Sequence, residues 1–344
     1  MFISKVVLHN FRCHTQTTIE FSTQMNSIYG KNGSGKTSIL EGLNLLSTGR
    51  SFLAPQNKDM IQHGADNFYV KIEFTCDDTN QTISIGYNQK EKRISHNENH
   101  FNRFSSVVGI IPSVLLAPKD SMLISGSPQE RRRFLNVQLA QIDPSYIHHL
   151  LRYHTALKHR NALLKIKGEQ MLDTWEHIMA ESYMYLLDKR ENLINLLSPK
   201  VNSIAKKFSS DKDNFELIYQ PSIKSKDIDE MKQVFKKSRI REMAMGTSLN
   251  GAHRDDFIIN HNLNTAKSFV SQGQSKTCIS ALKIAQWEHL KEKTGKIPIM
   301  LIDDFGVHLD TCRKSLFHDY LKELGQVIIT SPNKQPNALT IELL

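Results

Sequence analysis

One short segment restricts the possible folds of this chain more than any other. Residues 30–38 read GKNGSGKTS, and Gly30, Gly35, Lys36 and Thr37 match the pattern G-x-x-x-x-G-K-[ST]. The apolar run MNSIYG precedes the segment, and a pattern of helical period follows it. A phosphate-binding loop has this context, between a strand and a helix. The segment therefore predicts a P-loop in an α/β fold, in preference to an incidental glycine-rich turn.

The chemistry of this loop follows from its residue types. Backbone N–H groups of a P-loop converge on phosphate oxygens, and the N-terminus of the following helix adds a favourable partial charge. Lys36 is expected at the β- and γ-phosphates, and the Thr37 hydroxyl is expected to ligate Mg²⁺. The predicted nucleotide-binding residues of the loop are Gly30, Lys31, Asn32, Gly33, Ser34, Gly35, Lys36, Thr37 and Ser38.

A P-loop requires an acidic partner on a buried strand, and KIPIMLIDDFGVHLD at 296–310 supplies one. Its nearly continuous apolar run is typical of a parallel strand buried on both faces. Asp303 is predicted to hold Mg²⁺ through water, and Asp304 to act as general base or to orient the attacking water. Lys36, Asp303 and Asp304 are thus the predicted catalytic residues, with ATP and Mg²⁺ as ligands.

A second helix start, VSQGQSK at 270–276, carries no nucleophile or metal-ligand pattern. Ser271 could close the open side of the γ-phosphate with its hydroxyl, the backbone N–H groups and the helix dipole. In a symmetric dimer each subunit would offer Ser271 and Gly273 to the ATP of its partner. The alternative interpretation is a plain N-cap, a position that Ser favours.

Size, cysteine spacing and hydropathy restrict the class of protein. A chain of 344 residues allows one large or two ordinary domains. No apolar run is long enough for a transmembrane helix, and MFISKVVLHNF lacks the features of a signal peptide. The four cysteines form no CxxC pair, which favours a reducing cytosol and argues against a zinc site. We therefore expect a cytoplasmic protein without a membrane partner.

The net charge of +9 favours a polyanionic partner, and its distribution is informative. Residues 119–170 carry nine Lys or Arg and four Asp or Glu, and residues 199–245 carry eleven and seven. Non-specific binding of duplex DNA depends on phosphate contacts of this kind. The candidate contacts to the DNA backbone are Lys206, Lys207, Lys236, Lys237, Arg239 and Arg241.

The pattern of the chain changes twice. Residues 2–9 and 17–29 are predicted strands, and 68–96 alternates as an antiparallel sheet with DDTN as its first turn. A long polar helical pattern begins at Ser127, and strand patterns return near Phe215 and Ile297. We predict an α/β head domain formed by 1–118 and 246–344, with 119–245 inserted as a helical arm.

Several segments resemble known motifs. Ser271-Gln272-Gly273-Gln274 resembles the signature motif of ABC-type ATPases, and GVHLD resembles their D-loop, which adds Asp310 to the nucleotide site. The segments LHNFRCH, LLSTGRSF, GSPQERRRFLN, GAHRDDF, SQGQSK and LIDDFGVHLD occur in the order and spacing of the bacterial RecF family of DNA-repair ATPases. This resemblance covers essentially the whole chain. Gln272 departs from the usual signature Gly, His308 from the more common Glu, and Ala252 from the common Pro.

The resemblance implies an ABC-type P-loop ATPase head, similar to SMC heads, with an antiparallel β subdomain and a short helical arm. It also implies a weak Mg²⁺-dependent, DNA-stimulated ATPase that dimerises with ATP on double-stranded or gapped DNA. The implied partners are the RecO and RecR mediators, with which such proteins help to load the recombinase. Two alternatives are a nucleotide-gated DNA scaffold with negligible hydrolysis and a nucleotide-binding subunit of a transporter.

Four other groups of residues have a structural and a functional interpretation. Arg131–Arg133 is a solvated charge run, or it contacts phosphate or a dimer partner. His253–Asp256 is interpreted as structural, with Arg254 paired to an acid. Asn10 and Arg12 lie near the nucleotide or only in a loop. The histidines without metal-ligand spacing are interpreted as solvated or packing residues; they are His148, His149, His154 and His159.

Overall fold

The computed structural model describes residues 1–262, 264–304, 311–334 and 338–343. The chain forms two compact units. The terminal unit comprises 1–120 and 276–344, and the central unit comprises 121–275.

The strands, in chain order, are β1 Phe2–Phe11, β2 His14–Glu20, β3 Met25–Gly30, β4 Asn67–Cys76, β5 Thr79–Asn88, β6 Lys92–His96, β7 Asn99–Phe101, β8 Ser113–Leu116, β9 Phe215–Gln220, β10 Asp256–His261, β11 Asn264–Thr265, β12 Ile299–Ile302, β13 Val327–Ser331 and β14 Leu339–Leu343. The helices are α1 Lys36–Thr48, α2 Met122–Ser125, α3 Pro128–Ala140, α4 Pro144–Lys165, α5 Leu172–Ser209, α6 Ile228–Met245, α7 Ala266–Phe269, α8 Gln272–Thr294 and α9 Thr311–Glu323.

Within its described residues, the terminal unit contains two sheets. The first is antiparallel, with strand order β2-β1-β4-β5-β6-β7, and the second is parallel, with order β14-β3-β13-β12-β8. Alternate residues of β4 are buried, as expected of a sheet with one face on the core. Helix α1 supplies Leu40 and Leu43 to the same hydrophobic core as Val70 of β4 and Leu301 of β12. Helix α1 therefore packs against strands of both sheets of the terminal unit.

The predicted antiparallel sheet is confirmed, and one predicted stretch is divided. Strands β4 and β5 pair in register from Asn67 to Cys76, and Asp77 and Asp78 form their turn at φ 49° and 58°. Two residues at positive φ are typical of a two-residue hairpin turn. The predicted strand region 17–29 contains two strands in different sheets, because β2 pairs with β1 whereas β3 pairs with β13 and β14.

The central unit is mainly helical, as its sequence pattern predicts. Helices α4 and α5 pack against each other, and α6 packs against both. The N-terminal helix boundary expected at Ser127 is that of α3, with Pro128 at its first turn. A small antiparallel sheet, β11-β10-β9, completes the unit, and α5 packs against β9.

The segment 246–275, which the sequence pattern assigned to the head, groups with the central unit. The pairing of β10 with β9 is the physical reason, with Ile258 opposite Ile218 and Phe257 opposite Tyr219. Backbone hydrogen bonds join β10 to β9, a strand of the central unit, and the paired residues Ile258 and Ile218 are 40 positions apart in the sequence.

A buried carboxylate organises the interior of the central unit. Asp255 of the segment GAHRDDF is 0% exposed, and its carboxylate accepts four hydrogen bonds from described residues. Its donors are the Tyr183 and Tyr219 hydroxyls at 2.5 and 2.6 Å, with Arg190 Nη1 and Ser222 N each at 2.8 Å. A buried charge needs such partners, since desolvation is otherwise very costly.

The neighbours of Asp255 make further contacts within the central unit. Arg131 binds Asp256 through Nε and Nη2 at 2.7 and 2.8 Å, so the interpretation as a solvated charge run is wrong for this residue. Among the residues that the structure describes, Arg254 forms no ion pair with an acid; its Nη2 donates to Ser248 O at 3.0 Å. His253 accepts from the Tyr153 hydroxyl at 2.7 Å, and burial lowers the pKa of its imidazole to about 4. His253, Asp255 and Asp256 therefore have structural roles in the central unit, whereas Arg254 is exposed.

We predict that Asp255→Ala lowers the free energy of unfolding of the central unit by about 3–5 kcal/mol, because Arg190 then remains buried without its carboxylate. The chain has two tryptophans, and Trp175 lies in the central unit. Its fluorescence during urea unfolding, in a Trp287→Phe background, reports on this unit. Asp229→Ala, which removes a surface pair with Lys232, is the matched control and should change stability little. Equal stability of the two variants would contradict the assigned role.

Candidate nucleotide-binding site

The phosphate loop lies at the carboxyl end of the parallel sheet of the terminal unit. Strand β3 ends at Gly30, and α1 begins at Lys36. Strand β13 pairs with β3 on one side and with β12 on the other. Ligands of open α/β sheets bind at this edge, where loops and helix N-termini meet.

Two glycines of the loop are required by their surroundings. A Cβ on Gly30 would lie 2.3 Å from the carbonyl oxygen of Leu343, a backbone atom of the adjacent strand β14. Gly35 has φ +90°, and a Cβ there would lie 2.5 Å from Cys13 Sγ. Both positions therefore exclude side chains, which keeps the backbone of the loop accessible to a ligand.

Lys36 lies over its own loop. Its Nζ donates to Gly30 O at 2.8 Å and to Lys31 O at 2.7 Å, and the residue is 7% exposed. The buried Ser34 Oγ has no hydrogen-bond partner among the described residues. An ammonium group and an unsatisfied hydroxyl in one glycine-rich loop suit a phosphate ligand.

The predicted acidic partner is in place. Strand β12 is fully buried, and its pairing with β8 and β13 is parallel, as predicted. Asp303 follows it and accepts hydrogen bonds on Oδ1 from Thr37 Oγ1 at 2.9 Å and Thr330 Oγ1 at 2.7 Å. Burial raises the pKa of the Asp303 carboxyl above its ordinary value. The structure thus joins the loop threonine to the carboxylate with which it is predicted to bind Mg²⁺.

Asp304 differs from its neighbour in environment. It is exposed, its φ is +54°, and its amide donates to Thr330 Oγ1 at 3.0 Å. The Thr330 hydroxyl therefore contacts both acidic residues, as a donor to Asp303 and as an acceptor from the Asp304 backbone. This threonine at the end of β13 was missed in the sequence, because no local pattern marks it.

The donor set suits magnesium bound together with a nucleotide. Among the described residues, no group of three or more His, Cys, Asp or Glu is arranged to hold a metal ion. Mg²⁺ in phosphate-transfer sites is usually bound by one or two protein oxygens, substrate phosphates and water. The Thr37 hydroxyl and the Asp303 carboxylate are the protein oxygens that would hold it.

Ser271 caps helix α8. Its Oγ accepts from Gln274 N at 3.2 Å, and Gln274 Oε1 accepts from Ser271 N at 2.9 Å, which is a reciprocal capping box. Gln274 Nε2 also donates to Asp213 Oδ1 at 3.1 Å. Ser271 and Gln272 remain exposed, while Gly273 is half-buried. Asp310 and the rest of GVHLD, including His308, lie outside the described residues.

The Arg12 guanidinium is paired with an acidic side chain. Its Nε and Nη2 bind the two carboxylate oxygens of Glu41 on α1, each at 2.7 Å. Both Asn10 and Arg12 have positive φ, at 49° and 56°. The structure therefore shows a firm attachment of this turn to α1.

The basic residues of the central unit fall into two groups. Lys207, Lys236, Lys237 and Arg241 are exposed and Lys206 is half-buried. Arg239, which the sequence placed among the DNA contacts, instead binds Glu176 through Nε at 2.9 Å and also pairs with Asp173. Arg239 is therefore not a candidate DNA contact, because its guanidinium is already paired with acidic residues of the central unit.

The histidines of α4 pack against aromatic rings. His149 stacks on Tyr185 with ring centroids 4.2 Å apart, and His159 stacks on Trp175 at 4.4 Å. His148 contacts His149 edge to face, and His154 contacts Tyr153 in the same way. These contacts agree with a packing role.

The parallel sheet, the phosphate loop and the buried acidic strand, with an antiparallel sheet beside them, define a P-loop ATPase head of the ABC type. The family model described as RecF/RecN/SMC N terminal domain matches residues 2–339. The chain therefore belongs to this family, and relatives at least 30% identical over nearly its whole length place it within the RecF family of DNA replication and repair proteins.

Its relatives extend over nearly the full chain. The chain is 36% identical over 337 residues to the DNA replication and repair protein RecF of Protochlamydia amoebophila, which covers 96% of this chain and 94% of the relative. It is 32% identical over 336 residues to RecF of Leptospira interrogans, with 96% and 92% covered.

The solved structures agree with this assignment. A structure of the recombination mediator protein RecF-ATPrS in the RecFOR pathway has a TM-score of 0.91 at 29% identity, covering 100% of this chain and 96% of that one. An SMC head bound to the C-winged helix domain of ScpA has a TM-score of 0.56 at 15% identity, with 97% and 90% covered, and shows similarity of fold. None of the helices in the described part of the chain is both long and apolar enough to cross a membrane.

We predict that Thr330→Val lowers the free energy of unfolding of the terminal unit by about 1–3 kcal/mol, because the Asp304 amide and the buried Asp303 carboxylate each lose one partner. Trp287 fluorescence in a Trp175→Phe background measures this unit, since Trp287 is buried there and donates to Pro298 O. Thr340→Val, an exposed position on β14 of the same sheet, is the control. If both substitutions have the same effect, Thr330 does not support the acidic pair as described.

Proposed function

We propose that this protein is an ATP-dependent DNA-binding protein of recombinational repair and replication-fork recovery. ATP binding drives dimerisation on duplex or gapped DNA, and slow, DNA-stimulated hydrolysis releases the dimer. The observation that carries the proposal is the 2.9 Å hydrogen bond between Thr37 of the phosphate loop and Asp303 of the buried strand. It brings together the two groups that a Mg²⁺-nucleotide site requires.

Each residue of the site has a distinct role in this proposal. Lys36 exchanges the carbonyl oxygens of Gly30 and Lys31 for phosphate oxygens when ATP binds. Mg²⁺, when bound, neutralises charge on the phosphates and is held by Thr37 and Asp303. Exposed Asp304 orients the attacking water or accepts its proton.

The capping box at Ser271 is compatible with a second role across a dimer. A hydroxyl has one proton to donate and two lone pairs to accept with. Ser271 Oγ uses an acceptor position for Gln274 N and keeps its proton for another group. Because Ser271 is exposed at the start of a 23-residue helix, it can meet the γ-phosphate of a partner subunit.

The DNA contact belongs to the exposed basic residues of the central unit. Lys237 and Arg241 lie one helical turn apart on α6 and share a face of the helix, and Lys236 lies beside them. The acidic residues Asp229 and Glu230 lie in the first turn of the same helix, about two turns before Lys236 and Lys237. Lysine and arginine side chains on one face of a helix suit phosphates, which are common to all duplex sequences.

The wider pathway is proposed from the relatives. A similar solved protein is described as a recombination mediator of the RecFOR pathway. By this likeness we propose RecO and RecR as partners and recombinase loading as the outcome.

A mixed dimer provides the test of the shared ATP site. Lys36→Met removes the phosphate-binding ammonium and should abolish ATP binding, while Ser271→Arg should bind ATP but fail to dimerise. When the two variants are mixed, both lesions fall in one composite site and the other site is intact. We predict that the mixture regains part of the ATP-dependent dimer, measured by sedimentation with DNA, although each variant alone forms none.

Asp304→Asn is the control for this experiment, because it leaves both binding surfaces unchanged. It should dimerise with ATP and dissociate slowly, since it loses the group that activates water. If Ser271→Arg dimerises with ATP as well as the wild type does, Ser271 is a helix cap only.

The DNA contact is tested by its salt dependence. We predict that the logarithm of the DNA association constant falls linearly with the logarithm of salt concentration, with a slope of about −0.9 per phosphate contact. Combined Lys236→Gln, Lys237→Gln and Arg241→Gln should reduce the magnitude of the slope by about 0.9 for each phosphate that the variant no longer neutralises. Lys90→Gln, an exposed lysine of the terminal unit, is the control and should leave the slope unchanged. An unchanged slope in the triple variant would place the DNA-binding surface elsewhere.

A further inference from the structure

The turn between β1 and β2 lies directly against the phosphate loop. An ideal Cβ on Gly35 would meet Cys13 Sγ at 2.5 Å and His14 Nε2 at 2.6 Å. The turn and the loop are therefore in contact at Gly35, and the loop backbone cannot move toward the turn.

His14 makes two hydrogen bonds that fix its ring. It is 7% exposed, with Nε2 3.1 Å from Gly35 O and Nδ1 3.0 Å from Thr17 Oγ1. A carbonyl oxygen only accepts, so Nε2 carries a proton and donates it to Gly35 O. In the neutral ring Nδ1 then accepts from the Thr17 hydroxyl. One tautomer satisfies both contacts.

The bond to Gly35 O also determines the direction of the next amide. The carbonyl of Gly35 and the N–H of Lys36 belong to one planar trans peptide, so they point in opposite directions. The same carbonyl accepts from Ser38 N at 2.9 Å and from Ile39 N at 3.3 Å, which starts helix α1. His14 thus holds the peptide at which the loop becomes the helix, and it turns the Lys36 N–H away from the ring.

The turn that precedes His14 is itself anchored by the protein. Besides its two bonds to Glu41, Arg12 donates from Nη1 to Asp59 O at 2.7 Å and from its backbone N to Met60 O at 2.8 Å. Glu41 is completely buried on α1. The position of His14 is thus set by contacts to α1 and to the segment before β4, none of which involves a ligand. Preorganisation of this kind lowers the ordering cost of binding.

We propose that His14 is a positioning residue of the nucleotide site. It donates to Gly35 O and so aligns the Lys36 amide, and the N-terminus of α1, with the β-phosphate region of ATP. The inference rests on the proposed ATP binding, and it assigns a role in that binding to a side chain outside the P-loop motif.

Two substitutions separate this role from a general effect on packing. His14→Gln keeps an N–H donor at the reach of Nε2, whereas His14→Leu keeps a comparable volume and removes the donor. We expect His14→Leu to weaken Mg²⁺-ATP binding about tenfold, the size of one hydrogen bond, and His14→Gln to remain within about twofold of the wild type. Thr17→Val, which leaves the Nε2 bond in place, should have a smaller effect than His14→Leu. Calorimetric titration with ATP measures the dissociation constants, and thermal unfolding confirms that each variant is folded.

The outcomes are distinct. Folded His14→Leu with the ATP affinity of the wild type overturns the inference, as does His14→Gln with the loss seen for Leu. If His14→Leu does not fold, His14→Asn takes its place, because its polar amide is too short to reach Gly35 O and it should lose affinity equally. A wild-type protein that binds no ATP overturns the proposed function itself, and the inference with it.

Discussion

The hydrogen bond between Thr37 and Asp303 joins residues 266 positions apart, and the site depends on it. The bond requires the phosphate loop and the acidic strand to lie at the same edge of one parallel sheet. Strand β13 satisfies this requirement by pairing with both β3 and β12, which places Thr330 beside the two acidic residues. The two ends of the chain must therefore fold together, because neither holds a complete site alone.

Rigidity around the phosphate loop comes from its neighbours rather than from its own sequence. Gly30 is closed in by the backbone of β14, and Gly35 is closed in by Cys13 and His14. Arg12 and Glu41 attach the same turn to α1. A glycine-rich segment has the freedom to adopt many conformations, so contacts from outside the motif are needed to select the one that binds phosphate.

The central unit is stabilised by a different balance of forces. Its interior contains charged groups that are fully buried, including Asp255, Arg190 and Arg160, and each is paired with hydrogen-bonding partners. Arg160 donates to Glu176 and Glu242, both also buried. Such pairs contribute little net stability while intact, but the loss of one partner is costly. The basic side chains of Lys207, Lys236, Lys237 and Arg241, by contrast, are exposed.

The sequence by itself determined the phosphate loop, the acidic strand, the antiparallel sheet over 68–96 and the long helices after Ser127. Each of these is predicted from residues close together in the sequence, because motif spacing, turn residues and hydrophobic periodicity are local features of a chain. Only the tertiary structure decided which charges are paired. From the sequence, Arg131 is interpreted as part of a solvated charge run and Arg239 as a DNA contact, yet they bind acids 125 and 63 positions away. The grouping of 246–275 with the central unit, and the bond from His14 to Gly35, also depend on strand pairing and packing between distant segments. No local sequence pattern identifies such partners, because the burial and hydrogen bonding of a side chain depend on segments that are distant in the sequence.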